Sequence, residues 1–230
     1  MNRENKFMQK YALIVAGGTG KRMGSETPKQ FLELVGKPVL MHTIERFYRY
    51  DTNISIVLVL PENQSEFWSE LTRTYDFKVP HILVKGGLNR FFSVKNGLGA
   101  IGENGLAAIH DGVRPLVSSE TIKRCFDAAE KYGNAIPVIS PADSLRVIKN
   151  EKNMPVRREQ FRLIQTPQIF EVKQIKKAYM VEYSSDFTDD ATVYEMSGHE
   201  IHLVEGNREN IKITNPEDMA VAASLLKFIP

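Results

Sequence analysis

Short apolar runs alternate with helix-like segments along most of this 230-residue chain. The predicted strands cover 11–16, 54–60, 81–84, 106–110, 135–139 and 201–204. Their apolar residues are nearly continuous, which is typical of strands covered on both faces. Alternating strands and helices predict an α/β fold: a Rossmann-like, mostly parallel, twisted sheet with helices on both faces.

Two of the predicted helices have clear boundary signals. Asn215 is a good N-cap residue, and Pro216 follows at the first helical position, with acids in the first turn. Ser118 or Ser119 caps another helix, which we expect to stop at Gly133. These signals place one helix near the end of the chain and one directly after the fourth predicted strand.

Residues 141–160 break the alternation, because they are polar with short β-branched fragments around a loop-like middle at 149–153. We interpret them as a hairpin that is too hydrophilic for the main sheet and projects as an arm. A two-stranded hairpin is barely stable alone, so we expect it to pack on a second subunit. The chain is thus predicted to be one domain, 1–230, with a β-arm insertion at about 141–160.

Composition excludes several classes of function. The formal net charge is +2, which does not favour nucleic acid as a partner. No apolar run approaches the roughly 20 residues of a membrane span, and the N-terminal residues lack the apolar core of a signal peptide. We therefore expect no membrane partner and a cytoplasmic location. The single cysteine, Cys125, lies on an apolar helical stripe and is predicted to be a packed core thiol.

The sequence AGGTGKRMGSETPKQF, residues 16–31, follows the first predicted strand. Glycines let backbone N–H groups approach an anion, and the cations neutralise it, so the segment predicts a phosphate-binding loop. It is not a P-loop, and Met23 stands where a dinucleotide fingerprint needs its third glycine. The alternative is a glycine-rich surface connection with solvated charges.

The fourth predicted strand leads into His110-Asp111-Gly112-Val113-Arg114-Pro115. Asp111 would lie at the carboxyl end of a parallel strand, which is the ligand edge of such a sheet. A carboxylate that faces a phosphate loop needs a bridging cation, and Mg²⁺ is the natural one. The alternative is that Asp111 caps a turn and pairs with Arg114.

Further polar segments are candidates for the same edge. Gly87, Arg90 and Ser93 follow the third predicted strand, where the alternative is a simple turn with a helix cap. Arg158 and Lys212 are candidate clamps for a second anionic group. Charge runs are usually solvated, and the pair Arg157-Arg158 taken alone favours that simpler interpretation.

Taken together and in order, these motifs resemble those of the 2-C-methyl-D-erythritol 4-phosphate cytidylyltransferases of isoprenoid biosynthesis. The resemblance extends from about residue 12 to 223. It rests on AGGTGKRM with PKQF, on Gly86, Gly87, Arg90 and Ser93, on HDGVRP, on Arg158 followed by TPQ, on TDDA, and on VEGNRENIKIT with PED. The family often has alanine at the position of Gly112, an acid at that of Leu88 and threonine at that of Ser144.

The resemblance implies a homodimeric transferase that uses CTP and a polyol phosphate, with Mg²⁺ held by Asp111. The implied catalytic residues are Arg22, Lys29, Arg158 and Lys212. The implied nucleotide-binding residues are Ala16, Gly17, Gly18, Thr19, Gly20, Gly87, Arg90, Ser93 and Gly112. The implied substrate-binding residues are Asp143, Ser144, Arg158, Thr166, Thr188 and Lys212, of which Asp143 and Ser144 resemble the part of the arm that reaches into the neighbouring subunit's site.

Two alternatives stay open at this point. One is a cytidylyltransferase for another polyol phosphate, such as ribitol 5-phosphate. The other is a nucleotide-binding regulator without turnover, although the complete set of cations and the acid argue against it. An NAD oxidoreductase is disfavoured by Met23.

Overall fold

The computed structural model describes residues 8–17 and 27–228. Its strands are β1 (Lys10–Val15), β2 (Glu33–Leu34), β3 (Lys37–Pro38), β4 (Ser55–Leu60), β5 (Ile82–Lys85), β6 (Leu106–Asp111), β7 (Asn134–Ile139), β8 (Leu145–Lys149), β9 (Lys152–Val156), β10 (Leu163–Ile164), β11 (Gln168–Glu171) and β12 (Leu203–Glu205). Its α-helices are α1 (Val39–Tyr50), α2 (Ser65–Thr74), α3 (Arg90–Gly99), α4 (Ser119–Tyr132), α5 (Val172–Ala178), α6 (Asp190–Met196) and α7 (Pro216–Leu225).

The main sheet has the order β10-β7-β11-β6-β1-β4-β5, with β12 paired to β7. Strands β6, β1, β4 and β5 are parallel to one another, and β12 is parallel to β7. Strand β11 is antiparallel to both of its neighbours, and β10 is antiparallel to β7. The predicted mostly parallel α/β sheet is therefore confirmed, with a short antiparallel insertion that the sequence did not predict.

Side chains of β1 alternate between two hydrophobic cores because successive residues of a strand point to opposite faces. Ala12 and Ile14 pack in the core that contains Phe47 of α1. Leu13 and Val15 pack in the opposite core beneath α3. Helices thus cover both faces, as predicted, and the sheet edges remain available for loops.

The helix boundaries follow the capping signals. Ser118 caps α4 through Thr121 N–H, and Gly133 ends the helix with a positive φ of 84°. Asn215 and Asp218 form a reciprocal capping box at the start of α7. Helix α3 begins at Arg90, because the Asn89 side chain caps it by accepting the Phe92 N–H.

The predicted arm is a separate two-stranded sheet formed by β8 and β9. Its apolar side chains face solvent: Ile148 is 76% exposed, Met154 56% and Val147 43%. The hairpin is therefore confirmed. Its use in dimerisation stays a prediction.

The single cysteine lies inside the protein. Cys125 is fully buried in the core beneath α4, and burial raises the pKa of its thiol to about 12. It is the packed core thiol that the sequence predicts.

Among the helices described here, none has the length and apolarity needed to cross a bilayer.

Candidate active site

The carboxyl ends of the parallel strands meet at one edge of the sheet. Val15 is directly opposite Asp111 in the β1–β6 register, and Gly112 N–H donates to the Val15 carbonyl at 2.9 Å. Gly86 N–H donates to the Leu60 carbonyl at 2.7 Å. The loops after β1, β5 and β6 are thereby brought to one place, as open α/β sheets do for their ligands.

A cavity of about 340 Å³ lies at this edge. Its lining residues are Val15, Ala16, Gly17, Lys29, Gln30, Pro61, Gly87, Leu88, Asn89, Arg90, Ser93, Asp111, Val113 and Lys212. Its volume is within the range of small-molecule sites. Among these lining side chains three are cationic and one is an acid, so the cavity suits an anionic ligand.

The acid, Asp111, faces three cations. Lys212 Nζ is 2.9 Å from its Oδ2, and the Nε atoms of Arg90 and Arg114 are each 3.5 Å from a carboxylate oxygen. Burial raises the pKa of the Asp111 carboxyl, but the three cations outweigh burial and hold that pKa well below its ordinary value. Asp111 is therefore an ionised carboxylate at the floor of the cavity.

Arg90 is held in place from behind. Its guanidinium makes two bonds to the Asp190 carboxylate, at 2.8 and 2.6 Å, and Tyr179 donates its hydroxyl to the same carboxylate at 2.6 Å. Asp190 is fully buried. Burial, and then the negative charge of Asp190, raise the pKa of Tyr179 well above its ordinary value. Asp190 and Tyr179 thus hold the Arg90 guanidinium with its Nε toward Asp111.

The backbone of Asp111 is fixed by a second set of bonds. Asp111 N–H donates to Thr166 Oγ1 at 3.1 Å, and Thr166 Oγ1 lies 2.9 Å from His110 Nδ1. His110 Nε2 lies 3.1 Å from the Arg114 carbonyl, which can only accept. Burial lowers the pKa of His110 to about 4, so the ring is neutral at pH 7. Nε2 therefore carries the proton, and Thr166 donates to Nδ1.

The segment after the predicted phosphate loop is also buried. Lys29 Nζ donates to the Ile213 carbonyl at 3.0 Å, at the edge of the cavity. The Gln30 amide donates to the Ala16 carbonyl at 3.0 Å and to Gln64 at 2.7 Å. Both ends of the loop are thus anchored against the sheet.

The loop after β5 takes its shape from Gly87 and Ser93. Ser93 Oγ donates to the Asn89 carbonyl at 2.8 Å and accepts the Gly87 N–H at 3.1 Å. A Cβ on Gly87 would come within 2.8 Å of the Phe92 carbonyl carbon, so a side chain does not fit there. Leu88 is 97% exposed on the rim of the cavity.

The structure brings many of the predicted site residues together. Those that line the cavity are Ala16, Gly17, Lys29, Gly87, Arg90, Ser93, Asp111 and Lys212. Gly112 lies just behind them, where a Cβ would be 2.7 Å from Ala16 Cβ. Thr166 lies beneath Asp111. Gly18, Thr19, Gly20 and Arg22 fall outside the described residues.

Four predicted substrate-binding residues lie away from the cavity lining. Arg158 donates to the Ala142 carbonyl at 2.5 Å, and Ser144 and Arg158 line a separate groove at the base of the arm. Asp143 precedes that groove on the exposed arm. Thr188 lies 3.2 Å from Thr192 Oγ1 at the start of α6. Their roles stay predictions.

The residues around Asp111 could hold a divalent cation only together with ligands from outside the protein. Within residues 8–17 and 27–228, no three histidine, cysteine or acidic side chains converge on one point. Asp111 alone would supply a carboxylate, and the cations around it would repel a bare dication. Mg²⁺ with few protein ligands takes phosphate oxygens and water instead, so a phosphate-bound ion is the form that fits here.

Sequence reasoning missed Asp190, Tyr179 and Gln30. Asp190 is the second acid of TDDA, and adjacent acids at a helix start usually indicate a cap. Asp189 is indeed the cap of α6, since its side chain accepts the Thr192 N–H at 2.9 Å. The doubled acid was a signal that the second one has another partner.

An open α/β sheet with a cationic cavity at its carboxyl edge and one ionised acid defines a phosphate-binding α/β protein. The family model for IspD, 2-C-methyl-D-erythritol 4-phosphate cytidylyltransferase, matches residues 11–227. Proteins of that name from Bacteroides fragilis and Bacteroides thetaiotaomicron are 51% and 49% identical to this chain, each over 219 residues, 95% of this chain and 100% of the relative.

Solved structures agree with this relationship. The 2-C-methyl-D-erythritol 4-phosphate cytidylyltransferase from Thermus thermophilus superposes with a TM-score of 0.78 at 29% identity, over 96% of this chain and 100% of that chain. The 4-diphosphocytidyl-2C-methyl-D-erythritol synthase from Anaerococcus prevotii gives a TM-score of 0.79 at 28% identity, over 96% of each chain. This chain belongs to the 2-C-methyl-D-erythritol 4-phosphate cytidylyltransferase family.

Proposed function

We propose that this protein transfers CMP from CTP to 2-C-methyl-D-erythritol 4-phosphate and releases pyrophosphate. Family membership over residues 11–227 supports the reaction. The observation that carries it at the level of residues is the cavity in which Lys29, Arg90 and Lys212 accompany an ionised Asp111. These cations would offset part of the negative charge of a triphosphate, close to the anchored ends of the loop at 16–28.

The chemistry needs no general base. The second pKa of a phosphate monoester is about 6, so the acceptor is already a dianion near neutral pH. One of its oxygens bonds to the α-phosphorus of CTP, the bond to the bridging oxygen breaks, and pyrophosphate leaves with the electron pair. Positioning and charge stabilisation then carry the rate. In this proposal Lys29, with Arg22 outside the described residues, stabilises the negative charge that develops.

The nucleotide end is assigned to the loop residues. Ala16 and Gly17 line the cavity beside Gly87 and Ser93. The Ala16 backbone is already bonded, through its N–H to the Val59 carbonyl and through its carbonyl to Gln30, so in this proposal it shapes the nucleotide site and the phosphate contacts begin at Gly17. Gly18, Thr19 and Gly20 would continue the phosphate cradle. Gly112 belongs to this set in the proposal because it packs directly behind the lining, where a Cβ would come within 2.7 Å of Ala16 Cβ.

Asp111 is the residue that would hold a divalent ion, together with phosphate oxygens of CTP. Bound there, Mg²⁺ would offset the charge of the triphosphate and help to align it. Arg90 and Arg114 keep the carboxylate ionised and oriented toward the cavity. This chain's own contribution is thus a preorganised anion that accepts a cation only when phosphate accompanies it.

The acceptor end is assigned to Lys212, Thr188 and the arm residues Asp143, Ser144 and Arg158. The arm residues are separated from the cavity of their own chain, and the arm exposes Ile148 and Met154. We propose a homodimer in which each arm packs on the partner and completes the partner's acceptor site. The cytoplasmic location predicted from composition belongs to the same proposal.

The test is pyrophosphate release from CTP and Mg²⁺ with two acceptors run in parallel. We expect turnover with 2-C-methyl-D-erythritol 4-phosphate and at least about 100-fold lower kcat/KM with ribitol 5-phosphate. Turnover with ribitol 5-phosphate alone would keep the fold and nucleotide site but replace the acceptor. CTP binding without turnover on either acceptor would overturn the proposed reaction.

A further inference from the structure

The three cations around Asp111 are not equivalent. Lys212 makes the shortest contact, 2.9 Å to Oδ2, and its side chain is 42% exposed. Arg90 and Arg114 are each 3.5 Å away, with side chains 30% and 12% exposed. The closest cation is thus also the most accessible one.

The two arginines have other anchors. Arg90 makes two short bonds to buried Asp190, which Tyr179 supports from behind. Arg114 donates through Nη1 to the Asn210 carbonyl at 2.7 Å. Each would keep its position if the contact with Asp111 were lost.

Lys212 differs from the arginines in its anchoring. Within the part of the chain that the structure describes, the Asp111 carboxylate is the polar partner that its amine contacts. The neighbouring backbone is fixed, because Ile213 N–H donates to the Val113 carbonyl at 3.0 Å. Any displacement of the amine is therefore a rotation of a flexible side chain.

We infer that the Lys212 amine occupies, in the free protein, the position at Asp111 Oδ2 that a divalent cation takes when the nucleotide binds. The inference rests on the proposed metal role of Asp111. Lys212 acts as an internal substitute for the metal: it neutralises the carboxylate while the cavity is empty of phosphate and is displaced by a phosphate-bound ion. The displaced amine is then free to meet a second anionic group at the open side of the cavity.

This arrangement has an unusual consequence. Removing a cation that the reaction needs should strengthen, not weaken, the binding of metal to the free protein. An unpaired Asp111 carboxylate attracts a dication, and the loss of a nearby ammonium removes a like charge. Lys212→Met removes the charge of the side chain and keeps most of its length.

The experiment measures Mn²⁺ binding to the nucleotide-free protein by the electron paramagnetic resonance signal of free Mn²⁺. We expect Lys212→Met to bind Mn²⁺ at least about tenfold more tightly than the parent, which is about 1.4 kcal/mol. Lys212→Arg keeps a cation in place and should bind as weakly as the parent. Lys176→Met removes a lysine that is paired to Glu103 outside the cavity lining, so it controls for the change in net charge.

Each outcome decides between the inference and its premise. Unchanged or weaker Mn²⁺ binding by Lys212→Met overturns the inference. A gain that persists in Asp111→Asn/Lys212→Met locates the ion elsewhere and overturns the metal role of Asp111 as well. If the gain disappears in the double variant, the exchange at Asp111 is supported. If the parent protein in addition never turns over CTP, the proposed reaction is overturned while the exchange stands.

Discussion

The edge of the main sheet and the β8–β9 arm carry the two halves of the proposed site in opposite ways. At the sheet edge, Asp111 is 8% exposed, and bonds made within the chain fix its carboxylate and its backbone. On the arm, Arg158 is half exposed and its neighbour Glu159 is mostly exposed. A single chain therefore preorganises the residues at the sheet edge, whereas the arm residues stay exposed; under the proposed function, the acceptor half of the site depends on what covers the arm.

The largest expected effect separates the two regions by stability. Asp190→Asn removes the fully buried carboxylate that makes two short bonds to Arg90, and it should lower the free energy of unfolding by about 3–5 kcal/mol. Arg158→Ala, on the arm, should change it by less than about 1 kcal/mol. Urea unfolding at one fixed protein concentration measures both, and equal losses would erase the distinction between the two regions.

The next largest expected effect is on kcat, when a cation is removed from the sheet edge. Lys29→Ala removes a buried ammonium at the cavity and should lower kcat by about 10²–10³-fold, or about 3–4 kcal/mol. Lys123→Ala, which removes an exposed lysine paired to Asp127, is the matched control and should leave kcat unchanged. A loss below fivefold for Lys29→Ala would contradict its role.

The buried ring of His110 should make the sheet edge sensitive to acid. Folding lowers the pKa of His110 from 6.5 to about 4, so below pH 6.5 the unfolded chain binds a proton that the folded chain excludes. Stability is therefore complete above about pH 6.5 and should fall by about 3 kcal/mol as the pH drops to 4. The lowered pKa of His42, which burial causes, acts in the same direction.

Denaturation curves between pH 7 and pH 4 test this effect. In His110→Gln we expect a clearly shallower decline than in the parent, because the titrating ring is gone. Asp111 contributes at lower pH: its pKa is lowered in the folded state, so its stabilisation is present above about pH 4 and is lost below. An identical decline in parent and variant would show that His110 does not titrate in this range.

A smaller effect tests how the backbone of Asp111 is fixed. Thr166→Val removes the hydroxyl shared by His110 and Asp111 N–H, and kcat/KM should fall by about tenfold. Thr166→Ser keeps the hydroxyl and should stay within about twofold of the parent. If valine and serine behave alike, the hydroxyl is not what orients Asp111.

Much of the sheet edge could be predicted from the sequence because its signals are local. Continuous apolar runs gave the strands of the parallel core, and Asn215 and Ser118 gave the helix starts. Parallel strands place their carboxyl ends together, so Asp111 could be assigned to the same edge as Ala16 without a structure. The alternation itself thus predicted where the cavity would form.

The rest depends on contacts between distant parts of the chain. Arg90 and Asp190 are 100 residues apart, and no spacing in the sequence indicates their pairing. Strands β10 and β11 were missed because they are short and the turn between them contains Thr166-Pro167, which has the composition of a loop. The partner of the arm is beyond sequence patterns altogether, since exposed apolar residues such as Ile148 indicate a contact but not its identity.

The central claim is that the arm of one chain completes the cavity of another, and subunit complementation tests it most directly. Lys29→Ala and Arg158→Ala, each of which the proposal predicts to be nearly inactive alone, are unfolded together at a 1:1 ratio and refolded. If arms act on the partner, half of the dimers are mixed and each has one intact site, so about a quarter of the parent activity returns. If each arm serves its own chain, no site is intact, and activity at the level of the single variants would contradict the claim.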